Sequence, residues 1–216
     1  MAADVIYGRN PVREAQRGRR NVRRVWSSKE TSNEELTRRA GSPDHQGVVA
    51  EVDPYPYADP TTLLKSPNAL VVALDQVQDP HNLGAVVRSA EAAGASGVVI
   101  PERRAVGVTA AVAKASAGAV EHLPIARVRN LADWLADAKE DGAWIYGASE
   151  GAEASYRTLD FSGRVVLVMG AEGSGIRPRV GSACDAMVKI PTVGEVGSLN
   201  VSAAAAVLLF AASRAE

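Results

Sequence analysis

The feature that most constrains the fold is a series of short, continuously apolar segments separated by segments of helical character, which begins at residue 69. Residues 69–74 and 165–169 contain no polar side chain. Strands that are apolar on both faces need cover on both faces, as in parallel sheets connected by helices. The sequence therefore predicts an α/β domain with a parallel sheet. The other predicted strands are 97–100, 123–128, 143–146 and 186–190, and the predicted helices are 83–93, 109–117, 131–139 and 199–212.

A proline-rich stretch precedes this domain. Residues 54–68 contain four prolines, which do not fit inside regular elements, so this stretch is predicted to be a linker. It separates an N-terminal lobe, residues 1–53, from the domain at 69–216. In the lobe we expect a helix over 10–16 with Asn10 as its cap and Pro11 at its first position, and strands at 22–26 and 48–52. The lobe is thus a small α/β unit.

The N-terminal lobe is locally basic although the chain carries a net charge of −1. Seven arginines and one acid, Glu14, lie between positions 9 and 24. Such a cluster suits phosphate neutralisation, and arginine forms the better fork for phosphate. A solvated charged face explains the same pattern equally well. The predicted RNA-binding residues are Arg9, Arg13, Arg17, Arg19, Arg20 and Arg24.

Other bulk features exclude several classes of protein. The single cysteine, Cys184, allows no internal disulfide and no cysteine metal cluster. The N-terminal residues lack the apolar core of a signal peptide. The longest apolar run, 201–212, is too short to cross a bilayer and suits a buried helix. We therefore expect a cytoplasmic protein without a metal and without a membrane contact.

Polar residues and glycines meet at the ends of three predicted strands, where ligands bind in open α/β sheets. After the strand at 69–74, Asn82 is expected to cap a helix and Gly84 to permit close backbone approach. Arg88 lies in an otherwise apolar stretch, and a buried charge needs a partner. That partner is either a structural one, Glu91 or Glu172, or a reacting substrate.

The second and third strand ends carry a glycine loop and a helix start. Residues 170–175 contain three glycines, but their spacing matches neither a P-loop nor a dinucleotide fingerprint. Glu172 in this loop has the ordinary interpretation of a helix cap or ion-pair partner. After the strand at 186–190, Ser198 is expected to cap a helix whose first turn contains Asn200 and Ser202. Each loop alone is a weak indication of function.

Taken together and in order, the three loops resemble the SpoU class of 2′-O-ribose methyltransferases. The resemblance rests on Asn82-x-Gly84-x₃-Arg88, on Gly170-Ala-Glu172-Gly173-x-Gly175, and on Ile190-Pro191-x₆-Ser198-Leu199-Asn200. It implies a deep trefoil knot, a homodimer, and S-adenosylmethionine as cofactor, with S-adenosylhomocysteine as product. The implied catalytic residues are Asn82, Arg88, Glu172, Ser198 and Asn200. The implied cofactor-binding residues are Gly170, Ala171, Gly173, Gly175, Ile190, Ser198 and Leu199.

Within the class, the segments 79–95 and 167–177 resemble the enzymes that methylate a guanosine ribose of 23S ribosomal RNA. The N-terminal IYGRNPVREA resembles the substrate-binding lobe of those enzymes, although the lobe is shorter here between Trp26 and Asp44. No metal is needed, because the sulfonium donor is already electrophilic. We expect Arg88 to act as an electrostatic clamp, because a guanidinium that stays protonated in proteins is a poor base.

Alternative functions differ in substrate or in class. Gly147-x-Ser149-x-Gly151 fits a hydrolase nucleophile pattern, but all three histidines precede Ser149, against the order of that family. A non-catalytic RNA-binding module is a second class, although such a protein need not keep Arg88, Glu172 and Asn200. Transfer RNA, or the ribosomal target of a resistance methylase, are alternatives within the methyltransferases.

Overall fold

The computed structural model describes residues 3–195 and 197–213. The N-terminal lobe is a three-stranded antiparallel sheet of β1 (Asp4–Tyr7), β2 (Val22–Ser27) and β3 (Val48–Val52), in the order β1-β3-β2. Its helices are α1 (Arg9–Arg17) and α2 (Asn33–Ala40). The two predicted strands are present, whereas β1 and α2 were not predicted.

The predicted cap of α1 is wrong. The helix begins at Arg9, and its N-cap is Gly8, with φ 101° and ψ 149°. Gly8 donates its N–H to the Val48 carbonyl and accepts from the Val12 N–H, so the chain turns from β1 into α1 within one residue. Glycine tolerates this positive φ without steric cost. Asn10 consequently lies inside the helix, on its exposed side.

The second sheet has seven strands and confirms the predicted α/β class. Every strand pair in it is parallel, and the strand order is β6-β5-β4-β9-β7-β10-β8. The strands are β4 (Leu70–Asp75), β5 (Gly97–Pro101), β6 (Ile125–Val128), β7 (Ala143–Ala148), β8 (Ala154–Ser155), β9 (Arg164–Gly170) and β10 (Ala186–Lys189).

Helices cover both faces of this sheet. They are α3 (Pro80–Ala92), α4 (Ala110–Ala115), α5 (Leu131–Glu140), α6 (Pro178–Gly181) and α7 (Val201–Ala212). Side chains of β4 alternate between two apolar clusters: Val72 and Leu74 pack with α3 and α7, and Val71 and Ala73 pack with α5. In the described part of the chain, no helix has the length and the apolar content that crossing a membrane requires.

The proline-rich segment 54–68 follows the edge of the seven-stranded sheet. Tyr55 and Leu63 in it are 8% and 3% exposed, and Ala58 forms a parallel bridge with Ala126 of β6. Its one regular piece is a 3₁₀ turn at Pro60–Thr62. The segment is therefore anchored to the domain at these points, whereas residues 65–68 are exposed.

Two of the arginines predicted to bind RNA instead join the lobe to the second sheet. Arg20 is 6% exposed, and its Nε donates to Glu121 Oε2 at 2.9 Å, with Glu121 1% exposed. Arg19 donates to the Leu123 carbonyl at 2.7 Å. A buried guanidinium requires such acceptors, so the prediction of a phosphate contact is wrong for Arg20. The other five are solvent-exposed: Arg9, Arg13, Arg17, Arg19 and Arg24.

Candidate active site

A cavity of about 740 Å³ lies beyond the carboxyl ends of β7, β9 and β10. Three chain segments, 148–151, 169–176 and 197–201, form most of its wall. Parallel strands bring their carboxyl ends to one edge of the sheet, which explains why segments so distant in sequence meet there. All of the predicted cofactor-binding residues line this cavity: Gly170, Ala171, Gly173, Gly175, Ile190, Ser198 and Leu199.

Three of the predicted catalytic residues form one hydrogen-bonded network at this cavity. Asn82 Nδ2 donates to Glu172 Oε1 at 3.2 Å, and Asn200 Nδ2 donates to Asn82 Oδ1 at 3.0 Å. Asn200 Nδ2 also donates to Glu172 Oε1. Glu172 and Asn200 line the cavity, whereas Asn82 is 8% exposed behind them. Glu172 therefore serves neither as a helix cap nor as an ion-pair partner among the described residues.

Asn82 is available to this network because it does not cap α3. The N-cap is Asp79, whose carboxylate accepts from the His81 N–H, and Pro80 takes the first helical position. Proline fits there because its missing N–H has no helical acceptor. The prediction of Asn82 as the cap is therefore wrong, and its side chain points to the network from the first turn of the helix.

The cap of α7 also differs from the prediction, since it is Asn200 and not Ser198. Asn200 Oδ1 accepts from the Ser202 N–H at 2.8 Å and from Ser202 Oγ at 2.6 Å. This leaves Asn200 Nδ2 directed toward Glu172, so capping fixes the orientation of the amide. Ser198 lies two residues earlier in the cavity wall, where it is exposed.

The loop after β9 folds back on itself so closely that a side chain at Gly170 has no room. A Cβ there would lie 2.1 Å from the Gly175 carbonyl carbon. Ala171 and Gly175 form a small antiparallel bridge, with the Gly175 N–H donating to the Ala171 carbonyl at 2.8 Å. Gly173 and Gly175 have φ of 77° and 64°, which suits glycine. The three glycines thus shape the cavity wall.

A buried ion pair fixes the end of this loop and was not predicted from the sequence. Asp75, the last residue of β4, is completely buried and accepts from the Arg177 N–H and from Arg177 Nε, both at 2.8 Å. Arg177 Nη2 lies 2.6 Å from Asp75 Oδ1. Asp75 pairs with Gly170 in the sheet, so its carboxylate lies beside the start of the loop. Through Arg177 it also binds the end of the loop.

The other positions of the first motif behave differently from Asn82. A Cβ on Gly84 would lie 2.4 Å from Ala115 Cβ, so the predicted close approach is to α4. Arg88 is exposed, and it forms no ion pair within the described residues, so its predicted burial and its salt bridge to Glu91 or Glu172 are wrong. Six residues turn an α-helix by about 240°, which puts Arg88 and Asn82 on different faces of α3.

Comparison with known proteins identifies the family of the chain. A putative TrmH-family tRNA/rRNA methyltransferase of Bacillus subtilis, YacO, is 39% identical over 96% of this chain and 94% of its own length. The structure of the SpoU methyltransferase AviRb of Streptomyces viridochromogenes, in complex with AdoMet, matches with a TM-score of 0.81 and 27% identity over 97% of this chain and 89% of that one. An AdoMet-bound rRNA methyltransferase of Sinorhizobium meliloti matches with a TM-score of 0.85 and 25% identity over 97% and 86%. The model of the SpoU rRNA methylase family matches residues 69–210, and the chain belongs to this family of RNA methyltransferases.

Proposed function

We propose that this chain transfers a methyl group from S-adenosylmethionine to the 2′-hydroxyl of a guanosine ribose in 23S ribosomal RNA, releasing S-adenosylhomocysteine and the hydroxyl proton. The observation that carries the proposal is the network of Asn82, Glu172 and Asn200, whose last two members open onto the 740 Å³ cavity. The network supplies polar groups for a hydroxyl beside a space of the size that small cofactors occupy.

The cavity wall fits S-adenosylmethionine. Its volume lies within the range of small-molecule sites. The backbone groups of Thr192 and of 197–199, which line the cavity, form no hydrogen bond with other described residues, so they are available to the adenine edge and to the methionine end of the cofactor. The carboxylates of Glu150 and Glu172 in the wall suit a cationic sulfonium. When bound, the sulfonium supplies an electrophilic methyl group.

The protein's contribution is to hold the ribose in line with that methyl group, which supplies much of the rate enhancement in a two-reactant transfer. Glu172 Oε1 accepts from two amides, and its Oε2 has no partner in the described part of the chain. We expect Oε2 to accept from the ribose hydroxyl and to orient it. Asn82 and Asn200 keep the carboxylate in place, and Ser198 lies in the wall where the cofactor or the ribose would pass.

We propose Arg88 as the remaining catalytic residue, an electrostatic clamp that holds a phosphate next to the target ribose from another face of α3 than Asn82. The absence of an ion-pair partner among the described residues leaves its guanidinium available to RNA. We expect Arg88→Ala to lower turnover by about 10²–10³-fold, as for the loss of other groups that stabilise charge in the transition state. The affinity for S-adenosylhomocysteine, measured by calorimetry, is expected to stay unchanged.

A matched control separates this role from a general loss of positive charge. Arg38→Ala removes an exposed arginine of α2, whose partner is Glu35, and is expected to keep full turnover. Equal losses of turnover and of cofactor affinity in Arg88→Ala would contradict the clamp.

We also propose that the chain functions as a homodimer. Helix α7 contains almost only apolar residues, and a helix that is apolar on all sides is normally buried on all sides. Phe210 on α7 is nevertheless 55% exposed, and Leu199 just before the helix is 43% exposed. A second copy of the chain would cover them. Sedimentation equilibrium of the wild type and of Phe210→Glu tests this: a dimer that becomes a monomer supports it, and a monomeric wild type refutes it.

The RNA target is tested directly by methyl transfer. Unmodified transcripts of 23S ribosomal RNA and of transfer RNA are incubated with the protein and labelled cofactor, and the methylated ribose is mapped by mass spectrometry. We expect one guanosine of the 23S transcript to be modified, in line with a cytoplasmic site of action. Modification of transfer RNA alone would refute the ribosomal target and leave the methyl-transfer chemistry intact.

A further inference from the structure

A group of four arginines lies at the carboxyl ends of β5 and β6, the same end of the seven-stranded sheet at which the candidate active site lies. The arginines and the cofactor cavity are on opposite sides of β4. Pro101 of β5 pairs with Val128 of β6, so the two strands end at the same level. The residues that follow them are Arg103 and Arg104 after β5 and Arg129 after β6. Arg127 lies near the end of β6. We call Arg103, Arg104, Arg127 and Arg129 the β5–β6 arginine cluster.

The strand order places this cluster beside the network of Asn82, Glu172 and Asn200. In the order β6-β5-β4-β9, the network lies at the ends of β4 and β9, and the cofactor cavity extends from β9 toward β7 and β10. Neighbouring strands are about 4.8 Å apart, so the ends of β5 and β6 lie about 5 and 10 Å to the side of β4. The cluster therefore flanks the reaction site on the side away from the cofactor.

The cluster is not neutralised within the described part of the chain. None of its four arginines forms an ion pair there, and all four are exposed. The nearest acid in sequence is Glu102, which leaves a net charge of +3 from four arginines and one carboxylate. By contrast, Arg13 and Arg38 in the N-terminal lobe have carboxylate partners at Glu14 and Glu35. Unpaired guanidiniums on an exposed edge suit an anionic partner.

The loop that carries Arg103 and Arg104 is connected to its surroundings by several contacts. Arg127 stacks on the Tyr57 ring, 5.1 Å from its centroid, and Arg127 Nη2 donates to the Glu102 carbonyl at 2.9 Å. Tyr57 Oη in turn accepts from the Val108 N–H at 2.8 Å. Arg127 thus connects the loop to Tyr57 and serves partly as a structural brace. Contacts of this kind reduce the cost of ordering the loop when it binds a partner.

The same loop is joined to the connection that leads to Asn82. The Val106 N–H donates to the Val77 carbonyl at 3.1 Å, and Val77 lies between β4 and α3. Arg104 has φ 58°, an uncommon conformation for a residue with a side chain. Such conformations persist where the surroundings determine them, and they cluster at functional sites.

We propose that the β5–β6 arginine cluster binds the phosphates of the RNA strand that flank the target ribose, so that the strand lies across the ends of β4, β5 and β6. The proposal rests on the function proposed above and adds the path of the substrate to it. Guanidinium forks match phosphate oxygens in pairs. Because phosphate contacts position RNA without reading its sequence, the cluster is expected to set affinity and register, and not the choice of base.

The test compares two triple variants that lose the same charge. The first is Arg103→Gln, Arg104→Gln and Arg129→Gln, which keeps Arg127 as the brace of the loop. The control is Arg38→Gln, Arg39→Gln and Arg179→Gln, which removes arginines that are ion-paired with acids. Binding to a structured transcript of 23S ribosomal RNA is measured between 50 and 200 mM salt, about the range over which such contacts weaken. Affinity for S-adenosylhomocysteine is measured by calorimetry.

Each phosphate contact contributes about 0.7 to the slope of log affinity against log salt for a single strand. We expect the slope of the cluster variant to be smaller in magnitude by about 2 than that of the wild type. We also expect its RNA affinity at 0.1 M salt to be about 100-fold lower. Its affinity for S-adenosylhomocysteine should equal that of the wild type, and the control should keep the wild-type slope.

Two other outcomes have different meanings. A cluster variant with the wild-type slope, or a control that loses as much, overturns the cluster as the RNA path. A wild-type protein that binds RNA but neither binds S-adenosylhomocysteine nor methylates the transcript refutes the proposed function. In that case the difference in slope between the two variants still decides the role of the cluster.

Discussion

Arg177→Met removes the guanidinium that neutralises Asp75, and its cost can be worked from the structure. The Asp75 side chain is completely buried, and that of Arg177 is 42% exposed. Removing one partner of a fully buried pair costs about 3–5 kcal/mol, because the other charge stays buried. The Arg177 N–H still donates to Asp75 in the variant, and water reaches the space that the side chain leaves. We therefore expect a loss of about 2–3 kcal/mol in the free energy of unfolding.

Arg179→Met is a matched control two residues away. Arg179 pairs with Asp133 at 2.7 Å, close to the 2.6 Å of the Arg177–Asp75 pair. The side chains of Arg179 and Asp133, however, are 74% and 61% exposed. Exposed pairs contribute about 0–1 kcal/mol, since water solvates both charges when the pair is broken. The losses in the free energy of unfolding of Arg177→Met and Arg179→Met are thus expected to differ by about 2 kcal/mol. Because the substitution and the pair distance are nearly the same, burial alone accounts for the difference.

The assay is urea unfolding followed by circular dichroism, with the affinity for S-adenosylhomocysteine measured on the folded proteins. Because Arg177 holds the end of the loop that forms the cavity wall, we expect Arg177→Met to weaken this affinity by about tenfold, which corresponds to about 1.4 kcal/mol of loop ordering. Arg179→Met should keep it. Equal losses of stability in the two variants would refute the reasoning from burial, and an unchanged affinity in Arg177→Met would refute the link to the cavity.

Three further predictions follow from the packing. Gly170→Ala should abolish binding of S-adenosylhomocysteine in calorimetry, because a Cβ there meets backbone at 2.1 Å, whereas Gly181→Ala, whose Cβ would lie 3.9 Å from its nearest neighbour, should bind normally. Glu121→Gln should lower the free energy of unfolding in urea by about 2–3 kcal/mol, since it leaves the buried Arg20 guanidinium with only the half-exposed Asp4 carboxylate, 3.9 Å from Nη1, as counter-charge; a loss below about 1 kcal/mol contradicts this. Burial raises the pKa of the Cys184 thiol to about 11, so the thiolate is scarce at pH 8. Iodoacetamide should modify this half-buried thiol about 100-fold faster in urea than in the native protein, and equal rates would refute the raised pKa.

The sequence predicted the α/β class because its strands are apolar on both faces, a property that survives any error in the exact ends of the elements. Helix starts were harder to place. Asp79-Pro80 is a strong start signal for α3, but Asn82 lies nearby and is also a good cap residue. Helix α2 was missed because Leu36 is its single buried residue, so it has almost no apolar periodicity.

In the candidate site, some residues could be predicted from the sequence and others could not. The positions of Asn82, Glu172 and Asn200 came from the family resemblance, and no spacing rule joins residues that lie so far apart in the chain. The Asp75–Arg177 pair spans 102 residues. Arg177 ends the segment 167–177, but no motif joins it to Asp75, so only the folded structure brings the two together. Its one local signal is an acidic residue at the end of an apolar strand, where a buried charge needs a partner.

The position of β7 in the sheet has a consequence for synthesis on the ribosome. Both of its hydrogen-bonded neighbours, β9 and β10, come later in the chain. The nascent β7 therefore emerges with two open edges, and one side of β4 stays open until β9 arrives. Open strand edges of this kind can pair with the wrong strand, and pairing between strands distant in sequence slows folding. Since Asn200 follows β10, its hydrogen bonds to Asn82 and Glu172 form only after all the strands described above have been synthesised.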